Sequence, residues 1–125
     1  MIGLKKIPTF KDTQKYIDKI TFDKKLSVDE LVLCAEWSRF DPRLGEVLIE
    51  YLSKNWQSYN PIEINNKLNL SPWPQSIGVI VDHIQLILKK SQNKKLFNTW
   101  SDCVLSGVTP TNYQAYFVGL YKFAG

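Results

Sequence analysis

Apolar residues recur along this chain at helical spacing, and the residues that interrupt them are those that start and stop helices. Thr9 opens a first helix over residues 10–20, with Phe10, Ile17 and Ile20 apolar and Lys11, Lys15 and Lys19 spaced by four along another face. Ser27 and Glu30 have the spacing of a capping box, in which the serine oxygen accepts the N3 amide while the glutamate reaches back to the cap amide. This predicts a helix from 28 to about 39, with Val28, Leu31, Val32 and Ala35 as its core stripe and Leu33 and Trp37 on a second face. Asp41 and Pro42 then stop one helix and start another, because aspartate caps orphan amides and proline is tolerated at the first helical position. Leu44, Val47, Leu48, Tyr51 and Leu52 fill the helical template without a gap as far as about Trp56, while Glu46, Glu50 and Lys54 are polar.

Asn60 and Pro61 repeat the device and open a short helix to about Leu68, with Ile62, Ile64 and Leu68 apolar. Each copy of this aromatic, Asp or Asn, proline sequence runs on to a tryptophan, Trp56 or Trp73; two copies read as convergent capping rather than as a repeat. Ser71, Pro72, Trp73 and Pro74 form a corner, after which residues 75 to about 90 are apolar on most sides, the mark of a central helix. Lys89 and Lys90 suit the negative end of that helix. Leu96, Trp100, Cys103 and Val104 give the next helix its stripe, and Gly107 ends it. From Tyr113 onward the aromatic pattern fits a helix or an extended segment, with Thr109 and Pro110 favouring helix. The predicted fold class is all-α: a compact orthogonal bundle of five to seven helices in one domain, 1–125, around a central apolar helix at about 74–90.

Composition adds location and charge. The longest apolar stretch is broken by Asp82, His83 and Gln85, short of the roughly 20 apolar residues a membrane span requires. Residues 1–9 lack a signal-peptide core, so a cytoplasmic location without a membrane partner is the expectation. Cys34 and Cys103 have no framework spacing and read as two buried thiols. Seven lysines against three aspartates in residues 1–25 account for the whole net charge of +4. Lys11, Lys15 and Lys19 are thereby candidate contacts for phosphate or an acidic partner, against the ordinary reading of a solvated face.

Chemistry is sparse. His83 is the sole histidine and stands beside Asp82 on the most apolar helix, where adjacent residues do not face each other; it reads as structural. One histidine and two distant cysteines have no metal-ligand spacing, the one-turn pair Glu46 and Glu50 reads as a solvated face, and no glycine-rich phosphate loop occurs. The expectation is a non-enzyme without a cofactor. The pair of helices around Ser71 has the outline of a helix-turn-helix, which makes a DNA-binding regulator the alternative. Its second helix would present only Gln75 to a base, however. The stronger candidate is residues 37–43, which hold both arginines of the chain. Trp37, Arg39, Asp41 and Arg43 are the candidate partner-binding residues, since tryptophan and arginine are enriched in interface hot spots. The competing reading is a structural network in which Arg39 or Arg43 pairs with Glu36 or Asp41 and Trp37 fills the core.

The segments WSRFDPRL (residues 37–44), NP (60–61), PWP (72–74) and FVGLYKFAG (117–125) resemble small helical bacterial proteins encoded next to nucleotidyltransferase toxins of the abortive-infection type. The resemblance covers the last two thirds of the chain. It implies an antitoxin-like companion whose protein partner is a nucleotidyltransferase, and a contribution of binding rather than of chemistry.

Overall fold

A computed structural model describes residues 7–108 of the chain. The described residues form six α-helices and no strand: α1 Phe10–Thr21, α2 Val28–Trp37, α3 Pro42–Asn55, α4 Pro61–Leu68, α5 Gln75–Ile87 and α6 Lys94–Val104, with a short 3₁₀ turn at Trp56–Ser58. The segment from Tyr113, predicted as helix or extended, lies outside the described residues.

The starts follow local chemistry. Thr9 and Asp12 form one reciprocal capping box, Ser27 and Glu30 another. Asp41 and Asn60 each cap a helix that opens on proline. At the far end of α1, Asp23 takes the left-handed conformation (φ 58°) that glycine usually supplies. Its amide bonds Ile20 and that of Lys24 bonds Lys19, which satisfies two of the helix's last carbonyls.

Buried residues of all six helices, from Ile20 on α1 to Val104 on α6, share one core. α5 packs against α2, α3 and α6, so the predicted central helix is central. Its first half, Ser76 to Val81, is buried without interruption. It ends at Ile87 rather than near 90, because Leu88 turns the chain and Lys89 and Lys90 lie in the turn. Leu86 and Ile87 are exposed, contrary to the all-round apolar reading.

Two other core assignments shift. On α6 the fully buried ring is Phe97, stacked on Trp100 at 5.5 Å and edge-on to Trp56 at 5.3 Å, while Leu96 is exposed. Phe10 of α1 is exposed and Thr13 is buried, while Ile20 faces the core and Ile17 packs against it as predicted. Cys34 is buried, and burial pushes its thiol far above the ordinary range. Cys103 is only half-buried; both are free thiols.

Long-range polar bonds tie the elements together. Asn65 on α4 donates to the carbonyls of Val104 and Ser106 at 2.9 and 2.7 Å, closing the carbonyl end of α6. Trp100 Nε1 donates to Tyr59 O at 3.0 Å. The link between α1 and α2 is held by two tyrosines. Leu26 N–H donates to Tyr51 Oη (3.2 Å), Tyr51 Oη lies 2.5 Å from Tyr59 Oη, and Tyr59 donates to Leu26 O (2.7 Å). A phenol has one proton, and Tyr59 gives its own to Leu26, so Tyr51 must donate to Tyr59. The circuit closes on a single residue.

Candidate functional site

The turn between α2 and α3 brings Arg39, Phe40, Asp41 and Arg43 to one surface, where α1 and the link before α5 meet them. Asp41 is the organising group. Its Oδ1 accepts from the Arg43 amide (3.0 Å) and Nε (3.1 Å), and its Oδ2 accepts from Arg43 Nη2 (2.8 Å) and Thr13 Oγ1 (2.7 Å). Arg43 Nη1 donates to Gln14 Oε1 at 3.0 Å. One carboxylate therefore caps α3, orients an arginine and ties α3 to α1. Partial burial pushes the Asp41 carboxyl upward, but the bonds from Arg43 and Thr13 together outweigh it and hold it below the usual range. The pairing of Arg43 with Asp41 is the intramolecular network weighed above.

Both guanidinium groups lie over rings. That of Arg43 covers Phe10 at 4.4 Å, and that of Arg39 lies 4.3 Å from the Trp73 ring and 5.0 Å from Phe40. Phe40 and Trp73 meet edge-on at 6.3 Å. Between Phe40 and Phe10 lies a cleft of about 260 Å³, with Thr13, Asp41 and Arg43 in its wall. Rings and cations thus alternate across the surface: Trp73, Arg39, Phe40, the cleft, then Phe10 under Arg43. Phe10 is 70% exposed and Phe40 40% exposed, so the core does not require either ring.

Trp37 takes a different place. It is half-buried, edge-on to Tyr16 of α1 at 5.8 Å, and packs against the core. Of the candidate lysines, Lys11 and Lys15 are exposed. Lys19 is half-buried in a 2.6 Å ion pair with Glu30. Phe10, Thr13, Gln14 and Trp73 join the corner from distant sequence, and no local spacing announces them. The nearest signal was the stiffness of the segment Ser71 to Pro74.

Beside the corner, Glu36 is half-buried and accepts a hydrogen bond from Ser71, whose Oγ in turn accepts from the Trp73 amide (3.1 Å). Burial pushes the Glu36 carboxyl up, and the Ser71 hydroxyl offsets this only in part. A carboxyl raised on folding contributes stability that is full below its unfolded value and lost as pH rises through its folded value. Glu36→Gln, which keeps the acceptor for Ser71, is therefore expected to raise the melting temperature at neutral pH. The gain should vanish towards pH 4, as thermal melts at both pH values would show.

The other candidate chemistry is placed as follows. His83 Nδ1 lies 2.9 Å from the Val79 carbonyl. His83 lines neither this cleft nor the one between α1 and α3. No group of three or more metal-ligating side chains occurs among the described residues. Glu46 is exposed, and Glu50 pairs with Lys54 at 3.1 Å. In the α4–α5 pair compared with a helix-turn-helix, residues 76–81 at the start of α5 are buried. No helix among the described residues is long and apolar enough to cross a membrane. No family model, curated protein or solved structure matches the chain.

Proposed function

We propose that this chain is a non-enzymatic protein-binding module whose partner seats on the corner formed by Trp73, Arg39, Phe40, Phe10 and Arg43. The observation that carries this reading is the alternation of rings, Phe10 and Phe40 exposed and Trp73 half-buried, with guanidinium groups along a surface that holds a cleft. Arginine, tryptophan and their aromatic neighbours carry most of the energy in protein interfaces, and here hydrogen bonds and ring contacts already hold them in place. Asp41 and Gln14 fix Arg43, while Phe40 and Trp73 flank Arg39. The resemblance of residues 37–44, 60–61, 72–74 and 117–125 makes the partner a nucleotidyltransferase toxin, which the module neutralises by covering its active site.

The test is co-expression with the product of the adjacent gene, followed by affinity measurement on purified proteins. Wild type should co-purify at fixed stoichiometry, and Arg39→Ala and Phe40→Ala should each weaken binding by about 30-fold or more, the range of a hot-spot loss. A chain that purifies without a stoichiometric companion, or variants that bind as wild type does, would overturn the reading. The DNA-binding alternative has less support, since burial at the start of α5 leaves that helix without a readable face. DNA retention at low salt that falls steeply as salt is added would revive it.

A further inference from the structure

The opposite end of α5 from Trp73 carries a second surface, about 20 Å away along that 13-residue helix. Leu86 and Ile87 at the end of α5 and Leu96 at the start of α6 are 70%, 56% and 59% exposed. Between them Lys89, Lys90, Lys94 and Lys95 are all exposed. The turn that presents them is well bonded. Ser91 N–H donates to Leu88 O, Lys94 N–H to Ser91 O, and Asn93 N–H to Ser91 Oγ. No acidic residue occurs between Asp82 and Asp102, and none of the four lysines is held in an ion pair among the described residues.

Lys94 and Lys95 stand where folding alone would not put them. They occupy the first turn of α6, whose N-cap Asn93 makes no side-chain bond and whose first turn contains no acidic residue. The positive end of a helix favours anions there, so two cations work against the stability of α6. A position that breaks a local rule without a structural return marks a surface kept for something else. Residues 1–6 and 109–125 contain no Asp or Glu either. A second copy meeting it tip to tip would set lysine against lysine.

We infer that the α5–α6 tip docks an acidic amphipathic segment of a partner protein, its carboxylates on Lys89, Lys90, Lys94 and Lys95 and its apolar stripe on Leu86, Ile87 and Leu96. Charge complementarity commits the surface to an anionic occupant. Residues 86–96 contain no arginine and no aromatic ring, so this stretch offers neither the stacking nor the bidentate contacts by which bases are held. A helix lying in a bilayer surface would present one long apolar face, whereas α5 and α6 bury theirs in the core and expose only Leu86, Ile87 and Leu96 at their adjoining ends. The remaining match is an apolar stripe flanked by carboxylates.

The test uses the full chain and two labelled synthetic peptides of equal composition. One is a helix-forming sequence of glutamates with a single leucine stripe; the other is its scramble, without a stripe. The striped peptide should bind about tenfold more tightly than the scramble. Lys94→Glu/Lys95→Glu should lower that affinity by about tenfold or more while raising the melting temperature by roughly 2–5 °C, since the same change relieves the helix end. Leu86→Ser/Leu96→Ser should weaken binding without moving the melting temperature, and Phe40→Ala at the corner should leave it unchanged. Equal binding of the two peptides, or wild-type affinity in the lysine variant, would sink the inference. So would tighter binding to phosphatidylserine vesicles or to an oligouridylate than to the striped peptide.

Discussion

Phe97→Ala is expected to destabilise the protein by about 3–5 kcal/mol, the usual cost of emptying a buried aromatic site. For a chain of 125 residues this lowers the melting temperature by roughly 10–20 °C. Phe97 is fully buried, and its ring is shared between Trp56 and Trp100, so truncation opens a space that rigid indoles cannot refill. Leu96→Ala makes the control. Its side chain is 59% exposed, and the change should move stability by less than about 0.5 kcal/mol. Thermal or urea melts of the two variants should therefore differ widely although the substitutions are adjacent. Similar losses for both would contradict the packing of α6.

Asp41→Ala is expected to cost about 2–3 kcal/mol, combining a lost N-cap with lost charge-assisted bonds. The figure is kept below the sum of its parts because Arg43 is 46% exposed and recovers water. Thr13 is not stranded by the change, since its hydroxyl also lies 3.1 Å from the Phe10 carbonyl. Asp41→Asn keeps an oxygen for the Arg43 amide and should lose about half as much. The pH dependence has a definite sign. A carboxyl lowered on folding contributes stability that is present above its unfolded value and lost as pH falls through its folded value. Wild type and Asp41→Ala should thus converge in acid, as wild type and Glu36→Gln do, but here the wild type is the more stable member at neutral pH. A gap that persists in acid would assign the effect to packing instead.

The helix starts were legible because their chemistry is contained within four residues. Ser27 with Glu30, Asp41 with Pro42 and Asn60 with Pro61 each carry both cap and first turn. The α6 stripe was legible only to within one position. Leu96 and Phe97 both fit a helical period ending on Trp100 and Val104, and what selects Phe97 is Trp56, 41 residues away. Similarly, Arg39, Asp41 and Arg43 could be chosen from the turn that holds them. Their ring partners could not, since Phe10 comes from the preceding helix but one and Trp73 from beyond α4. Phe10 looked like a core residue because an exposed phenylalanine on an amphipathic helix has no local signature.

The tyrosine circuit at Leu26 bears on how the corner would meet the partner proposed for it. α1 supplies Phe10, Thr13 and Gln14 near its start, where Thr13 is bound to Asp41; just past its end, the chain is clasped by Tyr51 and Tyr59. Bonds at the start of α1 and in the link that follows it thus set the register of its half of the corner to α3. A molecule that seats there meets a finished mould. The ordering cost of association, about 0.5–1.5 kcal/mol for each side chain immobilised, then falls mainly on the incoming molecule.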